Sequence, residues 1–280
     1  MASIDSHVAD ANNNAASAAT TFAQLGLSAW VVESCRAVGI SKPTPIQRAC
    51  IPPILAGRDC VGSANTGSGK TAAFALPILH QLAKDPYGVF ALVLTPTREL
   101  AFQLAEQFRA FGKAINLKDT VVVGGLDMIA QSTALAKRPH VVIATPGRLA
   151  DHLTTSTDNK IFQHLRFLVL DEADRMLEQT FAGDLATILE HLPKKRQTLL
   201  FSATMTEEGL ERAHPQLAMN NPAVHHTAPK YSTVDKLKQE YIFIPSRVKP
   251  VYLVYLLCTL FADKTAIIFT ARCRYVVLLS

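Results

Sequence analysis

Eight residues, Ala64-Asn65-Thr66-Gly67-Ser68-Gly69-Lys70-Thr71, constrain this chain more than any other feature. They follow the short apolar run Asp59–Ser63 and open a helical pattern that continues from Thr71 to Leu82. A glycine-rich turn between a strand and a helix lets consecutive backbone N–H groups point into one concavity. The helix N-terminus adds partial positive charge there. Lys70 is spaced to reach terminal phosphates, and Thr71 to offer its hydroxyl to Mg²⁺. The alternative is a glycine turn that Lys and Thr follow by chance. The strand before it and the helix after it argue for the phosphate loop.

Such a loop belongs to a strand–helix alternation, and the sequence supplies one. Further short apolar runs, each too brief for a core helix, lie at Phe90–Thr95, Thr120–Val123, His140–Thr145, Phe167–Leu170 and Thr198–Phe201. Between them sit amphipathic stretches. The clearest is Glu99–Phe111, where Leu100, Gln103, Leu104, Gln107, Phe108 and Phe111 keep an i, i+3, i+4 rhythm. Strands apolar on both faces imply a mainly parallel sheet covered by helices, an α/β fold. With 49% apolar and 18% charged residues among 280, the chain can bury such a core.

The second chemical signal is Phe167-Leu168-Val169-Leu170 running into Asp171-Glu172-Ala173-Asp174. Alone, this is an ordinary acidic helix start. Beside a phosphate loop it suits nucleotide hydrolysis: Asp171 at a strand end to hold the Mg²⁺ shell, Glu172 to polarise the attacking water. In an open parallel sheet both motifs lie at the carboxyl ends of strands, where ligands bind.

These residues, with Pro96-Thr97-Arg98-Glu99-Leu100-Ala101 upstream and Ser202-Ala203-Thr204 downstream, resemble those of DEAD-box ATP-dependent RNA helicases. Gly39-Ile40-Ser41-Lys42-Pro43-Thr44-Pro45-Ile46-Gln47 is similar to that family's adenine-sensing Q motif, with Phe22 as the isolated upstream aromatic. Gly124-Gly125 and Thr145-Pro146-Gly147-Arg148 match two RNA-facing motifs. The resemblance implies a RecA-like P-loop domain with ATP and Mg²⁺ as cofactors. It implies catalytic roles for Lys70, Asp171, Glu172, Ser202 and Thr204, the last two coupling nucleotide state to domain closure. Nucleotide contacts would come from Phe22, Thr44, Gln47 and Ala64 to Thr71, and metal contacts from Thr71 and Asp171, largely through water. Pro96, Thr97, Arg98, Gly124, Gly125, Thr145, Pro146, Gly147 and Arg148 would follow an RNA backbone without reading bases. Ile40 stands where the family usually has an aromatic, and Asn65 where it has Gln or Lys. Asp85–Phe90 running into Pro96, with Gly124–Met128, narrows the resemblance to the Dbp8-like ribosome-biogenesis subgroup and its plant counterparts. That subgroup implies rRNA processing, ribosome-assembly factors as partners, and a nuclear, nucleolar location.

The resemblance organises the chain. Residues 1–21 read as a disordered Ala/Asn/Ser-rich leader, 22–222 as the first RecA-like domain, and 223–235 as a linker. Residues 236–280 read as the truncated start of a second RecA-like domain, with strand-like Glu240–Ile244, helix-like Lys249–Phe261, strand-like Ala266–Thr270 and a further start at Ala271–Leu279. Ile267-Ile268-Phe269-Thr270 resembles the first motif of that domain. The later H-R-x-G-R stretch, which carries the family's arginine fingers, does not occur in these 280 residues. The expectation is therefore a chain that binds ATP and RNA but turns over poorly. A regulatory nucleotide-binding isoform and a partial gene model are the alternatives. An ATPase that moves protein is disfavoured by the ordered RNA-facing motifs.

Composition agrees. The formal charge is +5, and the leader holds Asp5 and Asp10 with no Lys or Arg, so the remainder is more basic still, which permits a polyanion partner. Lys194-Lys195-Arg196 reads as a solvated basic loop rather than a nuclear signal. The five cysteines show no C-x-x-C pair and no metal-ligand spacing. The longest nearly uncharged apolar run, Val251–Ala262, falls short of the about 20 residues a membrane span needs, so no membrane partner is expected.

Overall fold

The computed structural model describes residues 21–156, 160–205, 217–226 and 240–270. The chain divides into two compact units, Met1–Ser232 and Thr233–Ser280.

In the first unit the expected strands form within a residue of their sequence limits: β1 (Cys60–Ser63), β2 (Ala91–Leu94), β3 (Asp119–Val122), β4 (Val141–Ala144), β5 (Phe167–Asp171) and β6 (Gln197–Ser202). Helices fill the connections: α1 (Ala29–Ala37), α2 (Pro45–Leu55), α3 (Lys70–Leu82), α4 (Arg98–Gly112), α5 (Met128–Ala136), α6 (Pro146–Thr155), α7 (Ala173–Met176) and α8 (Ala182–Glu190). All pairings are parallel, in the order β3-β4-β2-β5-β6-β1, with a seventh strand, β7 (Ala223–His226), beyond β1.

The period-2 alternation of strand side chains builds two cores. Ala91, Val93, Val141, Ile143, Phe167, Val169, Leu199 and Phe201 pack with α1–α4 on one face. Their neighbours Leu92, Leu94, Val142, Ala144, Leu168, Leu170 and Leu200 pack with α5–α8 on the other. Gly62 in β1 is required by a close approach: a Cβ there would sit 2.6 Å from the Phe201 ring and 3.1 Å from the Cys50 sulfur.

β7 corrects the linker expected to begin at 223. Ala223 and Val224 take the register of Cys60 and Val61. The Ala223 N–H donates to the Asp59 carbonyl at 2.8 Å, and the buried Asp59 carboxylate accepts from the Thr198 and Asn220 N–H groups, each at 2.7 Å. The two histidines of this strand disguise it in the sequence, and pairing with β1 overrides their polarity. The remainder of the expected linker, 227–235, lies outside the described residues, as do 1–20 of the leader.

In the second unit α9 (Lys249–Thr259) forms as expected. Residues 240–244 and 266–270 are not strands, and 271–279 lie outside the described residues. A strand exists only when its ladder groups find a neighbour, and no ladder reaches either run among the described residues. Among the described residues no helix is long and apolar enough to cross a membrane.

Candidate functional site

The loop between β1 and α3 is shaped by two left-handed glycines, Gly67 (φ 77°) and Gly69 (φ 89°), the latter capping α3. The Lys70 ammonium donates to the carbonyls of Ala64 at 2.6 Å and Asn65 at 3.3 Å, closing the loop on itself. The Ser68 hydroxyl is buried with no protein partner. Gln47, 1% exposed, joins the loop to α2: its Oε1 accepts from the Thr44 N–H at 3.0 Å, and its Nε2 donates to the Gly69 carbonyl at 3.0 Å. A Cβ on Gly69 would collide with this amide, so glycine is needed both for its dihedral and for the contact.

Asp171 ends β5, and Glu172 follows in the left-handed region at φ 51°. Together with Thr66, Lys70, Thr71 and Asp174 they line one cleft of about 560 Å³ at the carboxyl ends of the strands. Burial pushes the Asp171 carboxyl up to about 6, opposed by the Lys70 charge and the Glu172 N–H. Burial likewise pulls the Lys70 ammonium down, opposed by Asp171, Asp174 and Glu172. Desolvation outweighs the opposing charges at both groups, so each would gain from a further opposite charge brought into the cleft. Ser202, at the end of β6, accepts from the Thr204 N–H at 3.0 Å, and the Thr204 hydroxyl donates to the Asp174 carboxylate. The S-A-T turn is thus tied to the acidic strand end.

The expected RNA-facing residues come together at the carboxyl ends of β2, β3 and β4. Thr97 caps α4, accepting from the Leu100 N–H at 3.3 Å, and the Arg98 guanidinium lies where a Cβ on Gly125 (φ 76°) would be. Arg148 donates to the Leu126 carbonyl at 2.8 Å, bracing the Gly124-Gly125 turn. Thr145 and Pro146 start α6, and the Thr145 N–H donates to Val122 of β3 at 3.0 Å. Hydroxyls, glycine N–H groups and guanidinium groups along one rim suit a phosphate backbone.

A family model described as DEAD/DEAH box helicase matches residues 44–213. The chain belongs to the DEAD/DEAH box helicase family. It is 56% identical over 259 residues to a probable ATP-dependent RNA helicase, DDX49, of Homo sapiens, covering 90% of this chain and 53% of that protein. It is 54% identical over 260 residues to DEAD-box ATP-dependent RNA helicase 36 of Arabidopsis thaliana, covering 91% of this chain and 52% of that protein. The chain spans about half the length of these curated relatives. Among solved structures, a DEAD box protein from Methanococcus jannaschii matches with TM-score 0.69 at 35% identity, covering 85% of this chain and 63% of that one. Mss116p bound to ssRNA and AMP-PNP matches with TM-score 0.65 at 34% identity, covering 72% and 43%. These neighbours share the RecA-like α/β architecture.

Of the residues expected to contact nucleotide, Gln47, Thr66, Gly67, Gly69, Lys70 and Thr71 line the cleft, while Phe22, 2% exposed within the core, Thr44, Ala64, Asn65 and Ser68 do not; Ile40 lines it too. Three polar lining residues lie outside all the expected motifs. Gln103 and Gln107 were counted on the apolar rhythm of α4, yet they are exposed on the cleft wall while Leu104 and Phe108 enter the core. Their polarity at i and i+4 was the available signal. Arg175 lines the cleft and donates to Glu172 at 3.1 Å. Nothing in the sequence singles it out.

Proposed function

We propose that the chain is the nucleotide-binding part of an ATP-dependent RNA helicase, an RNA-dependent ATPase that separates short duplexes. The carrying observation is the convergence of Lys70, Asp171, Glu172 and Asp174 on one cleft beside a partnerless Ser68 hydroxyl. Lys70 and the loop N–H groups would hold the phosphates, Glu172 would orient and deprotonate the attacking water, and Thr204 on Asp174 would report the outcome to a closing domain. Thr71 and Asp171 fit Mg²⁺: one hydroxyl and one buried carboxylate suit an ion that keeps waters and shares phosphate oxygens. When bound, that ion would neutralise charge on the phosphates. Titration with a fluorescent ATP analogue tests the reading. Binding should be lost in Lys70→Ala, and equal binding by that variant would refute it.

In this proposal residues 22–222, extended by β7 to His226, form the first RecA-like domain, and residues 236–280 open a second. The 280 residues hold no H-R-x-G-R stretch. By themselves they should bind nucleotide and RNA but turn over slowly, since an arginine finger contributes about 10³–10⁵-fold. Robust RNA-stimulated hydrolysis by the purified chain would overturn this. The subgroup resemblance carried by Asp85–Phe90 and Gly124–Met128 leads us to propose rRNA processing, assembly-factor partners and a nucleolar location as well. Immunofluorescence against a nucleolar marker tests the location.

A further inference from the structure

A second cavity, about 640 Å³, lies at the amino ends of β2, β5 and β6, the pole of the sheet opposite the nucleotide cleft. β5 alone separates the two by five residues, about 17 Å. Its floor is apolar, with Phe90, Leu165 and Phe167 lining it at no more than 2% exposure. Its walls carry different chemistry. Tyr87 is 61% exposed and stands edge-on to His164 with ring centroids 5.0 Å apart, which holds an aromatic face in solvent. Arg166 lies over the Phe90 ring at 5.8 Å and pairs with Asp85, the cavity's one carboxylate, at 3.2 Å. Arg196 donates to the carbonyls of Pro193 and Leu217, and its buried Nε–H has no partner. Lys195 is exposed on the rim. The cavity therefore joins excess positive charge to an exposed aromatic ring and one unsatisfied donor.

We propose that this cavity binds an unpaired nucleotide of single-stranded RNA, its base on Tyr87 and its phosphate beside Lys195 and Arg166. A stacking platform beside cations is what non-specific single-strand recognition uses. An acidic peptide would use the cations but not the ring. The site lies outside the motif loops and would engage RNA that continues beyond them, so the inference rests on the RNA-binding reading above.

Fluorescence anisotropy with labelled oligouridylates of about 6 and about 20 nucleotides, at several salt concentrations, tests it. Tyr87→Ala should weaken the longer RNA by about 5-fold or more. Lys195→Gln should reduce the slope of log affinity against log salt by about 0.7. The shorter RNA should bind both variants as it binds the unmodified chain. Both substituted side chains are exposed, and unchanged circular dichroism and nucleotide binding would confirm folding. If both variants bind the longer RNA normally while Arg98→Ala does not, the inference is wrong and the RNA reading stands. If the unmodified chain binds neither RNA, both fail. A labelled oligoglutamate whose binding depends on Tyr87 and Lys195, where RNA binding does not, would assign the cavity to an acidic partner and overturn the proposal.

Discussion

The contact between Gln47 and Gly69 makes a quantitative prediction. Gln47→Ala removes two hydrogen bonds, one to the Thr44 N–H and one to the Gly69 carbonyl. At about 0.5–1.5 kcal/mol each, the loss is about 1–3 kcal/mol. Gly69→Ala places an L-residue at φ 89°, which costs about 1–2 kcal/mol. It also drives the new methyl into the Gln47 amide, forfeiting the bond to the Gly69 carbonyl for a further 0.5–1.5 kcal/mol or so.

In the double variant the dihedral strain remains, the collision disappears and the shared bond is lost only once. The two costs should therefore sum to about 0.5–1.5 kcal/mol more than the double variant shows, outside the about 0.3–0.5 kcal/mol expected of independent sites. Urea denaturation of the four proteins, followed by circular dichroism, measures this coupling. Nucleotide affinity should follow the same pattern, because Gly69 caps the helix that carries Lys70. Strict additivity would refute the claim that Gln47 and Gly69 act as one unit.

Three further outcomes are expected. Arg148→Ala releases the Leu126 carbonyl, so amide exchange at residues 124–126 should quicken and RNA affinity fall while nucleotide affinity holds. His152 is 4% exposed, with Nδ1 3.1 Å from the Ser132 hydroxyl, and burial first, then Arg148, hold its pKa below 6.5. The unfolded imidazole takes up a proton before the folded one does, so stability should fall as pH drops from 6.5 through the folded value. His152→Asn should flatten part of that loss, leaving the part due to His80, His140 and His225, which burial shifts the same way. Ending the chain at Ser232 should raise solubility, because Tyr241, Phe243 and Phe269 are each at least 93% exposed. Unchanged solubility would count against that explanation.

The parts of the fold that the sequence made legible share a physical cause. β2, β4 and the first four residues of β5 are buried along their whole length and apolar without interruption, and Pro or Asp follows their ends. β7 was illegible because an edge strand needs only one apolar neighbour, and His225 and His226 mask it. The phosphate loop and the acidic strand end were legible because their chemistry dictates residue type. Gln103, Gln107 and Arg175 were not, since a polar residue on a cleft wall and one on a solvated face look alike until the neighbouring helices are placed.

Strand order then explains how one domain would serve the two proposed ligands. Chain order interleaves the motifs, but the sheet sorts them: β3, β4 and β2 carry the RNA-facing turns, while β5, β6 and β1 carry the nucleotide loops. The halves meet at the β2–β5 ladder, where Ala91–Leu94 pair with Phe167–Leu170 and every residue is buried. A close-packed ladder of this kind does not deform gradually. Nucleotide state is therefore better expressed in the loops above it, where Thr204 grips Asp174 on one side and Arg148 grips Leu126 on the other. On this view the sheet fixes the spacing between ATP and RNA, and a substitution that loosens either grip should alter coupling without shifting a strand.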